Sequence, residues 1–180
     1  MEIVLVAPEI PQNTGSIGRL CVATGSPLHL VDPLGFVVDD KHVRRAGLDY
    51  WEHVPLRVWP SWAAFEAELP SLGTPYFFST KAARALWDAP LGSHDAGVVL
   101  VFGRETAGLP PELHERFHDA MVGMPIVSPH VRSLNLSTCV GIAVYEVLRQ
   151  RARGARGVRP GSDRGQTGVK PGSDRGLTPV

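Results

Sequence analysis

The sequence predicts an α/β protein whose parallel sheet is covered by helices on both faces. Two observations lead there. Four short segments, Ile3–Val6, Leu28–Val31, Tyr76–Phe78 and Val98–Phe102, read as almost unbroken apolar runs, the signature of strands buried on both sides. Between them lie stretches with helical start and stop signals, and strands alternating with helices imply parallel pairing.

Each element has its own local reason. The first strand, Ile3–Val6, is closed by Pro8, and the second, Leu28–Val31, by Asp32-Pro33. A short helix is predicted from Ser16 to Thr24, stopped by Gly25, with Asn13 or Thr14 as its cap. Pro60-Ser61-Trp62 opens a helix to about Leu69. The most apolar strand, Val98–Phe102, ends at Gly103, and Pro110-Pro111 opens a helix to about Asp119. The longest helix is predicted from Asn135 to Arg153, with Val140, Ala143, Val144, Val147 and Leu148 on one face.

The 180 residues are 43 % hydrophobic, enough for a core and too much for wholesale disorder. Residues 1–153 read as one domain. Residues 154–180 read as a disordered tail, in which Gly157–Gly165 recurs almost unchanged as Gly168–Gly176. The formal net charge is zero, but the tail carries a surplus of cations and the body a matching deficit. Any nucleic-acid site must therefore be a local basic patch. Two cysteines exclude a disulfide scaffold, and Cys21 and Cys139, in apolar helical context, read as core thiols. No apolar run approaches the roughly 18 residues of a membrane span. With an acid at residue 2 and no secretory signal, a cytoplasmic protein is expected.

Ligands of parallel sheets sit beyond the carboxyl ends of the strands, and the unusual residues cluster there. Pro8–Arg19 reads as a turn-rich loop into the first helix, where Arg19 would oppose the helix dipole, a placement that hints at function. Phe102–Pro110 carries two glycines and a lone acid, Glu105. In Arg132–Thr138, more hydroxyl and amide groups converge on a helix start than capping needs. Asp39–Trp51 combines Lys41, Arg44 and Arg45 with Tyr50; it is either a solvated helix or an RNA surface with cations on phosphates and an aromatic for stacking. His114–His118 matches H-E-x-x-H, which would place two zinc ligands on one helix face and make a zinc hydrolase the distant alternative.

P-E-I-P-Q-N-T-G-S-I-G-R, D-D-K-H-V-R-R-A-G-L-D-Y-W, V-F-G-R-E-T-A-G-L-P and R-S-L-N-L-S-T occur in the order found in the SPOUT (trefoil-knot) RNA 2′-O-ribose methyltransferases, which residues 1–153 resemble. The second motif is similar to the branch that methylates the tRNA wobble nucleotide, cytidine or uridine; another tRNA or rRNA site is the alternative. The resemblance implies a C-terminal trefoil knot, an exception to the rule against threading. It also implies S-adenosylmethionine as methyl donor without a metal, tRNA as substrate and a homodimer with the active site near the subunit interface. Asn13, Arg19, Glu105 and Asn135 match the active-site positions. Phe78, Gly103, Met124, Ile126, Ser133 and Leu134 match the cofactor positions, largely through backbone groups. Lys41, Arg44, Arg45 and Tyr50 are the expected RNA contacts. The loop between Ile126 and Arg132 is one residue longer than is usual in the family.

Overall fold

A computed structural model describes residues 1–37, 50–92 and 97–157. Six parallel strands form one sheet: β1 (Glu2–Val6), β2 (Leu28–Val31), β3 (Leu56–Trp59), β4 (Thr74–Phe78), β5 (Val98–Phe102) and β6 (Met121–Val122), in the spatial order β3-β2-β1-β5-β4-β6. Among the described residues the α-helices are α1 (Pro11–Thr24), α2 (Trp62–Leu72), α3 (Pro111–Arg116) and α4 (Leu136–Gly157).

Strand periodicity divides the core into two layers. Ile3, Leu5, Val98, Leu100 and Phe102 face α1 and α4, packing with Ile17, Cys21, Val140, Ala143, Val144 and Val147. Val4, Val6, Val99 and Val101 face α2 and α3, packing with Phe65, Leu69 and Leu113. The expectation of a sheet covered on both faces therefore holds. Burial pushes the Cys21 thiol up to about 12, which makes it an inert core group.

Several boundaries differ from the sequence reading. Helix α1 begins at Pro11, not Ser16, so Asn13 and Thr14 lie inside it and neither caps it; Ile10 occupies the cap position without a side-chain bond. Arg19 is consequently more than two turns into the helix, beyond the reach of the terminal dipole. Helix α2 is capped as its sequence indicates, with Ser61 Oγ accepting from Ala64 N at 3.2 Å, but runs on to Leu72. Helix α3 stops at Arg116 and a 3₁₀ turn, His118–Ala120, comes after it. Helix α4 passes the expected end at Arg153 and reaches Gly157; the part of the tail from 158 to 180 lies outside the described residues.

Strands β3 and β6 were not anticipated. β3 is four residues long between prolines, and its Arg57 and Val58 are exposed. A buried chain of groups fastens it to β2: Trp59 Nε1 donates to His29 Nδ1 at 3.0 Å, and His29 Nε2 lies 2.9 Å from a Glu2 carboxylate oxygen. β6, with two residues, is too short to produce a periodic pattern.

The segment after β4 is hydrogen-bonded to β6 and to the residue that follows it. Ser79 N donates to Val122 O, Leu86 N to Gly123 O and Gly123 N to Arg84 O, at 2.8 to 3.0 Å. Gln150 on α4 donates to Ala89 O and accepts from Gly92 N, both at 2.9 Å. The same helix buries Glu146, whose two oxygens accept from Arg149 and Gln150. The Arg149 hydrogen bond holds the Glu146 carboxyl below the usual carboxylate range. A depressed folded-state pKa contributes stability above the ordinary value, and that stability is lost as pH falls through the depressed one. Urea midpoints of the native protein should therefore fall on acidification below about 4.5, the ordinary carboxyl value, and Glu146→Gln should flatten that decline. Parallel declines in the two proteins would contradict it.

Candidate active site

The strand order reverses between β1 and β5, and a crevice is expected beyond their carboxyl ends. A cleft of about 760 Å³ lies there, within the usual size range of small-molecule sites.

Its geometry begins with Glu105, at the tip of a tight loop after β5. One carboxylate oxygen accepts from Glu9 N at 2.8 Å; the other accepts from Ile10 N at 3.3 Å and Asn13 Nδ2 at 2.9 Å. The backbone amides of Glu9 and Ile10, the two residues that lead into α1, thus find an acceptor more than 90 residues away in sequence. Glu9 returns the contact, accepting from Thr106 N at 3.2 Å and Thr106 Oγ1 at 2.7 Å. Asn13, buried, accepts on Oδ1 from Asn135 Nδ2 at 2.9 Å. Asn135 caps α4, its Oδ1 accepting from Ser137 N and Oγ at 2.9 and 2.7 Å. One hydrogen-bonded chain, Glu105–Asn13–Asn135, therefore ties together three segments separated by 92 and 122 residues.

The loop carrying Glu105 depends on two glycines for different reasons. Arg104 and Gly108 exchange backbone hydrogen bonds at 3.0 and 2.9 Å, closing the turn. A Cβ on Gly103 would meet the Gly108–Leu109 backbone at 2.1 to 2.3 Å. Gly108 has open space but a φ of +71°, a left-handed conformation costly for other residues.

All six expected cofactor residues, Phe78, Gly103, Met124, Ile126, Ser133 and Leu134, line the cleft with Asn13, Glu105 and Asn135. Phe78 stacks on Phe102 with centroids 4.4 Å apart, and Met124, Ile126 and Leu134 extend the apolar part. Arg19 does not line the cleft; it is exposed on α1, its guanidinium 5.3 Å over the Tyr50 ring. Tyr50 is engaged within the chain, donating its hydroxyl to Gly15 O at 3.0 Å. Lys41, Arg44 and Arg45 lie outside the described residues.

Sequence reasoning missed Lys81, Arg104 and Arg132 at the cleft, and His114, read as a zinc ligand, lines it as well. Arg104 and Arg132 are adjacent to residues already singled out, and that adjacency was the available signal. The H-E-x-x-H reading is corrected. With α3 ending at Arg116, His118 leaves the helix that would align it with His114, and stands exposed beside Asp119. Cys139 also borders the cleft, half-buried, its thiol pushed up chiefly by burial.

Both Glu105 oxygens face N–H donors, so a glutamine there must turn its own NH₂ toward a donor in either orientation. Glu105→Gln is expected to lower stability by about 1–3 kcal/mol, nearly as much as Glu105→Ala. Thermal unfolding checks this; a glutamine variant as stable as the native protein would show that the acid is dispensable.

Residues 1–145 match the SpoU rRNA Methylase family. A tRNA (cytidine(34)-2′-O)-methyltransferase of Burkholderia cenocepacia is 49 % identical over 150 residues, which span 82 % of this chain and 94 % of that protein. A structure solved in work on 2-OH methylation of C/U34 on tRNA is 44 % identical, with a TM-score of 0.76, covering 84 % of this chain and 96 % of the other. A SpoU methyltransferase from Streptomyces viridochromogenes, solved with AdoMet, is 26 % identical with a TM-score of 0.68, covering 84 % of this chain and 58 % of the other.

Proposed function

The chain belongs to the SpoU rRNA methylase family, and on that premise we propose that it transfers a methyl group from S-adenosylmethionine to the ribose 2′-hydroxyl of nucleotide 34, cytidine or uridine, of tRNA. The observation that carries this reading is the convergence of the Asn13, Glu105 and Asn135 segments on one cleft. Relatives with that named activity match over nearly their whole length.

The cleft suits the donor. It has the volume of a small-molecule site, an apolar stretch of Phe78, Met124, Ile126 and Leu134 for a nucleobase, and backbone polar groups at Gly103, Ser133 and Leu134. S-adenosylmethionine supplies an electrophilic methyl on a sulfonium, so no metal is required by the reaction. The chain's task is alignment, which can contribute on the order of 7–11 kcal/mol. Glu105 fixes Asn13, Asn13 fixes Asn135, and Asn135 fixes the start of α4; the three hold the loops that form the cleft wall in one register.

The acceptor hydroxyl must lose its proton as the new bond forms. Arg19 matches the family's position for that step, yet stands off the cleft of its own chain. We therefore place it in the cleft of a second subunit of a homodimer. There its guanidinium, with a substrate phosphate, holds the hydroxyl in line and favours the alkoxide, and the proton passes to solvent water as the oxygen–methyl bond forms and the methyl–sulfur bond breaks. The reading includes a cytoplasmic location and the family's trefoil knot, with the chain after β6 passing under the β4–β5 connection. Among the described residues no helix is long and apolar enough to cross a membrane.

Labelled S-adenosylmethionine incubated with total tRNA, followed by mass-spectrometric mapping, tests the proposal. A 2′-O-methyl group at nucleotide 34 is expected. A methyl elsewhere in tRNA or in rRNA would replace the substrate assignment, and no transfer to any RNA would overturn the activity.

A further inference from the structure

Beside the cleft lies a second cavity of about 570 Å³. We propose that it is a nucleotide subsite, in which Lys81 and Arg104 hold a phosphate of the RNA strand next to the ribose being methylated. The inference rests on the proposed function, since it assumes an RNA strand entering the cleft.

The two cavities share a wall formed by Lys81, Arg104 and His114 with the backbone of residues 107–108. A strand whose ribose occupies the cleft continues as a phosphodiester, and this wall is the first surface met on the way into the second cavity. Lys81 is exposed and Arg104 half-buried, and neither forms an ion pair among the described residues. Elsewhere Arg149 pairs with Glu146 and Arg116 with Glu66, while Arg132, across the cleft, likewise forms no ion pair among the described residues. Two cations without an ion pair that line both cavities, on a chain with no net charge, are placed for an anion.

The rest of the cavity sets the polarity of the ligand. Pro110 and Pro111 offer flat apolar surface for a base, next to the buried Leu109. Glu112 and Glu115 lie on the α3 side; they repel a second phosphate and can accept N–H groups of a base. A nucleotide therefore fits in one direction, phosphate at the shared wall and base toward α3. Single-stranded loops whose bases are splayed apart are the form in which RNA presents such a unit.

The test compares the full-length native protein with the double variant Lys81→Ala/Arg104→Ala, with Lys81→Arg, and with the remote control Arg57→Ala. Filter binding of tRNA is measured across salt, with S-adenosylmethionine affinity by calorimetry alongside. The double variant should bind tRNA about tenfold more weakly, with a salt slope smaller by about 0.7–1, as expected for one lost phosphate contact. Lys81→Arg should keep most of the affinity, and Arg57→Ala all of it. An unchanged affinity and slope in the double variant would overturn the subsite. So would a loss of S-adenosylmethionine affinity by the same factor, which would assign both cations to the donor. If the native protein methylates no RNA, the proposed activity fails, while the binding measurements still decide this site.

Discussion

Gly103→Ala is expected to abolish S-adenosylmethionine binding and to lower the stability of the chain by about 3 kcal/mol, the upper range for forcing a methyl into packed structure. The added Cβ would lie 2.1 Å from Gly108 C and 2.2 Å from Leu109 N. These are backbone atoms of a turn closed by two hydrogen bonds, so the obstruction cannot rotate away. Relief requires the whole turn to move, carrying Glu105 off Glu9, Ile10 and Asn13 and opening the cleft wall from both sides. Gly108→Ala is the informative comparison. It meets nothing within 4 Å but must adopt a φ of +71°, at a cost of roughly 1–2 kcal/mol, with the turn still able to close. Calorimetric titration and thermal unfolding of both variants check the order. Equal donor affinity in Gly103→Ala and the native protein would remove this turn from the donor site.

Arg19→Ala should reduce turnover by about 10²–10⁴, the usual range for losing a group that manages a proton, with unfolding almost unchanged because the side chain is exposed on α1. Asn135→Ala should also lose turnover, but with a stability loss of about 1 kcal/mol, since Asn135 caps α4. Mixing the two tests where Arg19 works. If each cleft takes Asn135 from one subunit and Arg19 from the other, a mixed dimer carries one intact site. Refolding the variants together should then restore roughly a quarter of native activity, because half the dimers are mixed and half their sites are whole. No recovery would place Arg19 with its own chain's cleft or outside the reaction.

The two variants also show how unevenly the site could be read from the sequence. Asn135 was legible by local chemistry: a polar residue before a long amphipathic run is a cap, and the surplus of polar neighbours pointed to more. Glu105 was legible only as an oddity at a strand end. That it holds the entry to a helix more than 90 residues earlier has no local signature, and the start of α1 lies five residues before the position that local capping signals indicate. With Pro11 at the first helical position, where a missing N–H costs nothing, and Glu105 fixing Glu9 and Ile10 before it, Pro11–Gly15 forms helix without a local capping side chain. The misplaced helix start then misplaced Arg19 relative to the dipole.

The H-E-x-x-H motif failed in the opposite direction. The spacing is local and was present, but a helix must continue through all five residues for the histidines to align, and α3 stops at Arg116. Strands β3 and β6 escaped detection because four half-exposed residues and two buried ones carry too little periodicity to be distinguished from loop.

By itself the sequence determined the parallel α/β class, the two-layered core, the long C-terminal helix and, through ordered motifs, the residues that gather at the cleft. These are matters of burial period and chain-local turn chemistry, which repeat within a few residues. Only the tertiary structure decided that Glu105 clamps Asn13, that Arg19 stands away from its own cleft, and that Lys81 and Arg104 share a wall between two cavities. Such relations are set by strand order and by contacts across about a hundred residues, and neighbouring residues in the chain carry no record of them.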